Sequence, residues 1–203
     1  MIVKLPSGGS VTAIVRGSGR DSFLFAHGAG TDQDHRSIVG IADALAERGV
    51  RVVTFNYPYT ESGRRAPDRP PVLLECHRAV ASAVGGPLFL GGRSMGGRIA
   101  TMLAAEGYPS RGVVLYAYPL HPAGRPEKLR VAHLPEVSVP MLFFRGSRDA
   151  LSRSDLFDAH IRPLRGAYVV DMEGADHSFR EWQEPELFGF LADRTVEWMR
   201  AVG

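Results

Sequence analysis

The chain has 203 residues, 44% of them hydrophobic, which is enough for one domain with a substantial apolar core. Its formal charge is only +2, and its arginines are scattered along the chain, which argues against a nucleic-acid-binding surface. The first residues lack the apolar core of a signal peptide, and no apolar run approaches the roughly 20 residues that span a membrane. We therefore expect one domain over residues 1–203, in the cytoplasm, with neither nucleic acid nor membrane as a partner.

Short apolar runs rich in β-branched and aromatic residues alternate along the chain with longer segments of helical periodicity. This alternation predicts an α/β fold with a doubly wound, mainly parallel sheet. The predicted strands cover residues 11–16, 22–26, 51–55, 88–90, 112–117, 141–145 and 167–170. The predicted helices lie near residues 35–47, 71–84, 95–106, 152–161 and 185–201. Residues 57–71 and 118–140 are irregular and follow strand ends, where open parallel sheets bind ligands.

The segment Gly92-Arg93-Ser94-Met95-Gly96 lies between a predicted strand and a predicted helix. Glycines at both ends allow a sharp turn, which lifts the serine hydroxyl above the sheet beside a helix N-terminus. This arrangement is typical of a nucleophile elbow. It predicts acyl-transfer chemistry at Ser94.

A serine hydroxyl needs a base to remove its proton, so the chain must also supply a histidine and a carboxylate. Asp149 and His177 each follow a predicted strand, in the chain order Ser, Asp, His. We predict that His177 acts as the general base and that Asp149 orients it. Asp155 and Asp158 compete with Asp149, but they lie on the following helix and are interpreted as solvated charges.

A second strand runs into a glycine-rich turn, His27-Gly28-Ala29-Gly30. The tetrahedral intermediate of acyl transfer needs two backbone donors, and we predict that the N–H groups of Ala29 and Met95 supply them. His27 is interpreted mainly as a residue that braces this loop through hydrogen bonds.

The motifs around Ser94, His27, Asp149 and His177 together resemble the α/β-hydrolase superfamily over nearly the whole chain. The chain is most similar to small bacterial proteins described as dienelactone-hydrolase-like or as predicted α/β-hydrolases. Dienelactone hydrolases proper use a cysteine nucleophile, whereas this elbow carries a serine, so the resemblance implies a fold and not a lactone substrate. The segment 118–140 is too short for the helical cap of many superfamily members, which predicts an open site for a small ester, thioester or exposed acyl group.

Several further residues are candidates for contact with substrate. They are Gly28, Tyr57, Tyr59 and His121, with His133 as a further candidate for the pocket wall. The aromatic side chains have the alternative of covering the edge of the core. Arg64 and Arg65 are able to hold a carboxylate or phosphate, but a solvated loop explains them as well.

The remaining cysteine and histidines are given structural roles. Cys76 is interpreted as a small buried apolar group, and Asp176 as a residue of the turn before His177. His35, His77 and His160 fall on predicted helices. No Cys or His pair has zinc-ligand spacing, so we expect neither a metal nor a cofactor.

We expect a serine hydrolase that cleaves a carboxylic ester or related acyl bond of a small molecule. An acyltransferase or thioesterase would use the same residues. An alternative of another class is a ligand sensor or interaction scaffold with little turnover, because a fold can be kept after its catalytic activity is lost.

Overall fold

A computed structural model describes residues 1–86, 88–183 and 186–203. The strands are β1 (Ile2–Lys4), β2 (Ser10–Arg16), β3 (Ser22–Ala26), β4 (Arg51–Phe55), β5 (Leu88–Arg93), β6 (Gly112–Tyr116), β7 (Met141–Gly146) and β8 (Ala167–Met172). The helices are α1 (Arg36–Glu47), α2 (Pro58–Glu61), α3 (Pro70–Val84), α4 (Met95–Ala105), α5 (Ser154–His160) and α6 (Glu186–Val202), with a 3-10 turn at Leu134–Glu136.

The strands form one eight-stranded sheet in the order β1-β2-β4-β3-β5-β6-β7-β8. All pairings from β4 through β8 are parallel, and β2 pairs antiparallel with both β4 and β1. The chain passes from β3 outward to β4 and then returns to place β5 on the other side of β3. The strand order therefore reverses between β3 and β5, which is where open α/β sheets bind their ligands. The predicted fold class, a doubly wound and mainly parallel sheet, is confirmed.

Helices cover both faces of the sheet, so the central strands are buried on both sides. Along β3, Phe23 and Phe25 pack into one apolar cluster with residues of α1 and α6, while Leu24 and Ala26 pack into the other with residues of α3 and α4. Because alternate residues of a strand point to opposite faces, burial on both faces explains the uninterrupted apolar sequence of β3.

Most predicted elements are found within one or two residues of their predicted ends. The strand β5 is longer than predicted, because Gly91 and Gly92 continue it where glycine usually weakens a strand. Backbone packing explains this, since a Cβ on Gly91 would collide with the Val114 carbonyl oxygen of the neighbouring strand. The short strand β1, the single-turn helix α2 and the 3-10 turn were not predicted. The predicted first residue of the last helix, Pro185, lies outside the described residues.

The region after β6 holds no cap domain. Within residues 118–140 the only helical element is the 3-10 turn at Leu134–Glu136. The predicted absence of a large cap is therefore confirmed. None of the helices in the described ranges is both long and apolar enough to cross a membrane.

Candidate active site

Ser94 occupies a strained corner between β5 and α4. Its backbone has φ 52° and ψ −114°, a left-handed conformation that non-glycine residues rarely adopt. The corner is tight because the start of α4 packs on the end of β3: a Cβ on Gly96 would lie 2.5 Å from the Ala26 carbonyl oxygen and 2.6 Å from that of His27. A glycine is therefore required at position 96, and the strain at Ser94 is typical of functional sites.

Three side chains predicted to act together are joined by hydrogen bonds. Nε2 of His177 lies 2.9 Å from Oγ of Ser94, and Nδ1 of His177 lies 2.8 Å from Oδ2 of Asp149. The Asp149 side chain is fully buried, whereas that of His177 is 23% exposed. Because a carboxylate only accepts, Nδ1 of His177 carries the proton and Nε2 is free to accept the serine hydroxyl proton.

The loops after β7 and β8 hold Asp149 and His177 together. The Leu151 N–H donates to Oδ1 of Asp149 at 2.8 Å, which leaves Oδ2 for the histidine. The Arg148 N–H donates to the Ala175 carbonyl at 2.9 Å and ties one loop to the other. Backbone contacts therefore fix the relative position of the carboxylate and the imidazole.

Arg93 contacts the backbone of the histidine. Its Nη2 donates to the His177 carbonyl oxygen at 3.2 Å, and its side chain is half-buried. From the sequence we expect this arginine to pair with a nearby acid and to take no chemical step; its contact with a residue 84 positions away leaves no local sequence signal. Burial lowers the pKa of Arg93, whereas the nearby charges of Asp149 and Asp176 raise it.

The competing carboxylates lie elsewhere. Asp155 and Asp158 are exposed and pair with Arg153 and Arg162. Oδ1 of Asp176 accepts the Ser178 N–H at 2.7 Å and the Arg180 N–H at 3.2 Å, and these bonds lower the pKa of Asp176 against the opposing effect of burial. These contacts leave Asp149 as the carboxylate that reaches the imidazole.

The glycine-rich loop after β3 lies beside Ser94. A Cβ on Gly28 would be 3.6 Å from Cβ of Ser94. This contact follows from the sheet register, which pairs Ala26 at the end of β3 with Gly92 at the end of β5. The predicted oxyanion loop and the predicted nucleophile therefore meet at the reversal of strand order.

The carbonyl oxygen of Gly28 is held by three side chains. Nδ1 of His27 lies 2.8 Å from it, and the hydroxyls of Thr31 and Tyr59 donate at 3.0 and 3.4 Å. A trans peptide points its C=O and its N–H in opposite directions. The bonds to the Gly28 carbonyl therefore also fix the Ala29 N–H, which points away from these three side chains. The use of Ala29 and Met95 as the oxyanion donors remains a prediction.

His27 is buried and neutral in this arrangement. Its Nδ1 donates to the Gly28 carbonyl, and its Nε2 accepts the Tyr57 N–H at 3.3 Å. Burial lowers the pKa of His27, and the bond to Gly28 only partly offsets that effect. These bonds favour the interpretation of His27 as a brace for the loop.

Three of the tentative substrate contacts have buried side chains. Tyr57 and Tyr59 are fully buried and stack on each other, and the Tyr57 hydroxyl lies 3.1 Å from Nδ1 of His77. His121 is 1% exposed, and its Nδ1 lies 3.0 Å from the Pro122 carbonyl. Burial does not favour substrate contact by these side chains; it favours the alternative that they complete the core. Gly28 is the one tentative contact that lies against Ser94.

For the remaining candidates the structure shows other partners, exposure to solvent or low reactivity. Arg64 pairs with Asp68 at 2.8 Å, and Arg64 and Arg65 are exposed. Nε2 of His133 lies 2.8 Å from the Thr101 hydroxyl. Cys76 is buried, and burial raises the pKa of its thiol, so it is not a thiolate nucleophile at neutral pH. No cluster of three metal-binding side chains is found among the described residues.

Comparison with known proteins identifies the class. Residues 19–187 match the model of a family described as an alpha/beta hydrolase domain, and the chain belongs to that family. The predicted resemblance to α/β-hydrolases is thereby confirmed.

Solved structures of the same fold include serine hydrolases and esterases. An alpha-beta serine hydrolase homologue from Coxiella burnetii superposes with a TM-score of 0.79 at 21% identity, over 96% of this chain and 95% of that one. XC6422 from Xanthomonas campestris, described as an α/β serine hydrolase without lid, gives 0.77 at 21% identity over 98% and 93%. The esterase domain of a Rhodothermus marinus protein gives 0.75 at 19% identity over 100% and 98%. At these identities the similarity establishes the fold.

Proposed function

We propose that this chain is a serine hydrolase that cleaves a carboxylic ester or related acyl bond of a small molecule through an acyl-Ser94 intermediate. The observation that carries the proposal is the chain of hydrogen bonds from Ser94 through His177 to Asp149, at 2.9 and 2.8 Å. The lid-free description of XC6422 and the esterase title of the Rhodothermus marinus protein are consistent with it.

In the proposed first half-reaction, Oγ of Ser94 attacks the substrate carbonyl carbon while Nε2 of His177 takes the hydroxyl proton. Asp149 stabilises the imidazolium that forms, and the N–H groups of Ala29 and Met95 stabilise the negative charge on the carbonyl oxygen. The tetrahedral intermediate collapses, the C–O bond to the alcohol breaks, and His177 gives its proton to the leaving oxygen.

In the second half-reaction, water attacks the acyl-enzyme and His177 again removes a proton. The second tetrahedral intermediate expels Oγ of Ser94, which regains its proton from His177. The products are the free acid and the regenerated serine. No cofactor takes part in either half-reaction.

The test is the hydrolysis of 4-nitrophenyl acetate and butyrate by the wild type and by Ser94→Ala and His177→Ala. Because residues of a triad act as a unit, each variant should lose at least about 10³-fold in kcat with its thermal unfolding retained. Butyryl thioester cleavage is measured in parallel and should depend on the same residues. A folded Ser94→Ala variant that keeps most of the wild-type rate would overturn the proposal.

A further inference from the structure

A cavity of about 590 Å³ opens next to the proposed nucleophile. Arg93 and Ser178, the chain neighbours of Ser94 and His177, line one side of it, and Thr31 of the oxyanion loop lines another. The cavity therefore borders the chain segments that carry Ser94, His177 and the predicted oxyanion loop.

The lining of this cavity is rich in hydrogen-bond donors. Three arginines contribute to it, Arg36, Arg93 and Arg180, together with the hydroxyls of Thr31, Ser37 and Ser178. None of the described residues that line it is an aspartate or glutamate. Guanidinium and hydroxyl groups are the donors that bind carboxylate and phosphate oxygens.

Arg93 lines this cavity with few partners of its own. An arginine keeps its charge at neutral pH and has five N–H donors, yet within the described ranges Arg93 donates a single hydrogen bond and forms no salt bridge. Asp149 and Asp176 act on it only through space. A half-buried guanidinium without a paired carboxylate is costly, and an anionic ligand group would offset that cost.

Arg180 also lines the cavity. Its side chain is 79% exposed, and the ion pair that it forms within the described part of the chain, to Asp176, is long at 3.7 Å. A side chain held this loosely is free to turn its guanidinium toward a ligand. The cavity also has an apolar wall, formed by Trp182 and Leu187, against which a short carbon chain or ring would pack.

We propose that this cavity is an anion subsite, and that the substrate is a small ester or thioester carrying a carboxylate or phosphate group that binds Arg93 and Arg180 while its carbonyl lies at Ser94. This inference rests on the proposed function and defines its substrate class. It assigns binding of the anion to Arg93 and Arg180 instead of the loop arginines Arg64 and Arg65, which do not line the cavity.

The test compares kcat/KM for matched neutral and anionic esters. One pair is 4-nitrophenyl pentanoate and the mono-4-nitrophenyl ester of glutaric acid, which puts a carboxylate on the acyl side. A second series is phenyl acetate and its ring-substituted carboxylate and phosphate derivatives, which put the anion on the alcohol side and separate the two anion types. We expect at least one anionic ester to exceed its neutral counterpart by about tenfold or more.

Arginine variants locate the preference. Arg180→Gln and Arg93→Lys should each reduce the ratio of anionic to neutral kcat/KM by about threefold or more, because a charge or a bidentate fork is lost. Arg65→Gln is the matched control: it removes one exposed arginine outside the cavity and should leave the ratio unchanged. Because Arg93 also contacts His177, the rate on the neutral ester reports any damage to the imidazole, and the Arg180 variant tests the subsite independently.

The subsite is overturned if no anionic ester exceeds its neutral counterpart, or if Arg65→Gln lowers the ratio as much as Arg180→Gln does. In both cases Ser94-dependent hydrolysis of the neutral esters would leave the proposed function standing. Absence of Ser94-dependent hydrolysis of every ester would instead contradict the proposed function itself.

Discussion

Oδ2 of Asp149 lies 2.8 Å from Nδ1 of His177 across 28 residues of chain, although Asp176 is the immediate sequence neighbour of that histidine. The two carboxylates differ in what they accept. The buried Asp149 carboxylate accepts hydrogen bonds from the Leu151 N–H and from the imidazole. The Asp176 carboxylate accepts backbone N–H groups of its own turn. The carboxylate next to His177 in sequence is therefore not the one that bonds its imidazole. Substitutions of Asp149 and of Asp176 form a matched pair of variants.

Asp149→Asn should lower kcat for ester hydrolysis by about 10³–10⁴-fold, because an amide at this position favours the wrong imidazole tautomer. Asp176→Asn should keep kcat within a few fold and lower the free energy of unfolding by about 1 kcal/mol, because it weakens a turn. Steady-state kinetics and urea unfolding measure the two effects. Equal losses of kcat in both variants would contradict the assignment of Asp149.

Thr31 tests the orientation of the oxyanion loop. Thr31→Val removes a hydroxyl that donates to the Gly28 carbonyl at 3.0 Å and so loosens the peptide that carries the Ala29 N–H. We expect kcat for a neutral ester to fall by about 3–10-fold with little change in KM, because one hydrogen bond contributes about 1 kcal/mol. Thr31→Ser, which keeps the hydroxyl, should retain the wild-type kcat; equal losses in both variants would show that the hydroxyl does not act in this way.

Gly96 tests the packing that creates the elbow. Gly96→Ala would put a Cβ within 2.6 Å of two carbonyl oxygens of β3 and its loop, so we expect the free energy of unfolding to fall by at least about 2 kcal/mol. Gly189→Ala is the control, because Gly189 also lies in a helix and its Cβ would meet only ordinary contact, 3.6 Å from Arg48. That control should gain about 0.5–1 kcal/mol from helix propensity. Similar stabilities for the two variants would contradict the close approach at Gly96.

His77 makes the stability of the fold depend on pH. It is fully buried, burial lowers its pKa to about 3, and the unfolded chain has the ordinary value of 6.5. Between these values the unfolded state binds the extra proton, so stability is complete above pH 6.5 and falls as the pH drops toward 3.

His77→Asn keeps a hydrogen-bonding partner for the Tyr57 hydroxyl but does not titrate. We expect the loss of unfolding free energy between pH 6.5 and 4.5 to be shallower in this variant, by up to about 1.4 kcal/mol per pH unit. Urea unfolding at several pH values measures the slope. Parallel slopes for variant and wild type would mean that His77 is able to take up a proton in the folded state.

Local patterns were sufficient to predict much of the fold and to select three side chains that hydrogen bonds join in the structure. The apolar strands β3 and β4 were predicted with their observed ends, because strands buried on both faces are continuous in apolar residues. The strand-turn-helix context of Ser94 was also predictable, because the apolar pattern of a buried strand precedes the turn and that of an amphipathic helix follows it.

What escaped prediction depends on contacts that sequence spacing does not encode. Arg93 and His177 meet because β5 and β8 end at the same edge of the sheet. The residues near Arg93 in sequence do not indicate this contact. For Tyr57 and Tyr59 the sequence left a pocket and the core both open, because spacing does not show which way a ring points; both side chains are buried. The arginine-lined cavity likewise brings together the end of β5 with residues before and at the start of α1 and of α6.

The measurement that tests the central claim most directly is labelling of the purified protein with a fluorophosphonate, followed by mass mapping of the modified peptide. An activated serine reacts with this probe without need of the natural substrate. We predict one adduct, on Ser94, that is absent from Ser94→Ala and from His177→Ala. A folded wild type that stays unlabelled under conditions that label a control serine hydrolase would contradict the account and favour a scaffold with little turnover.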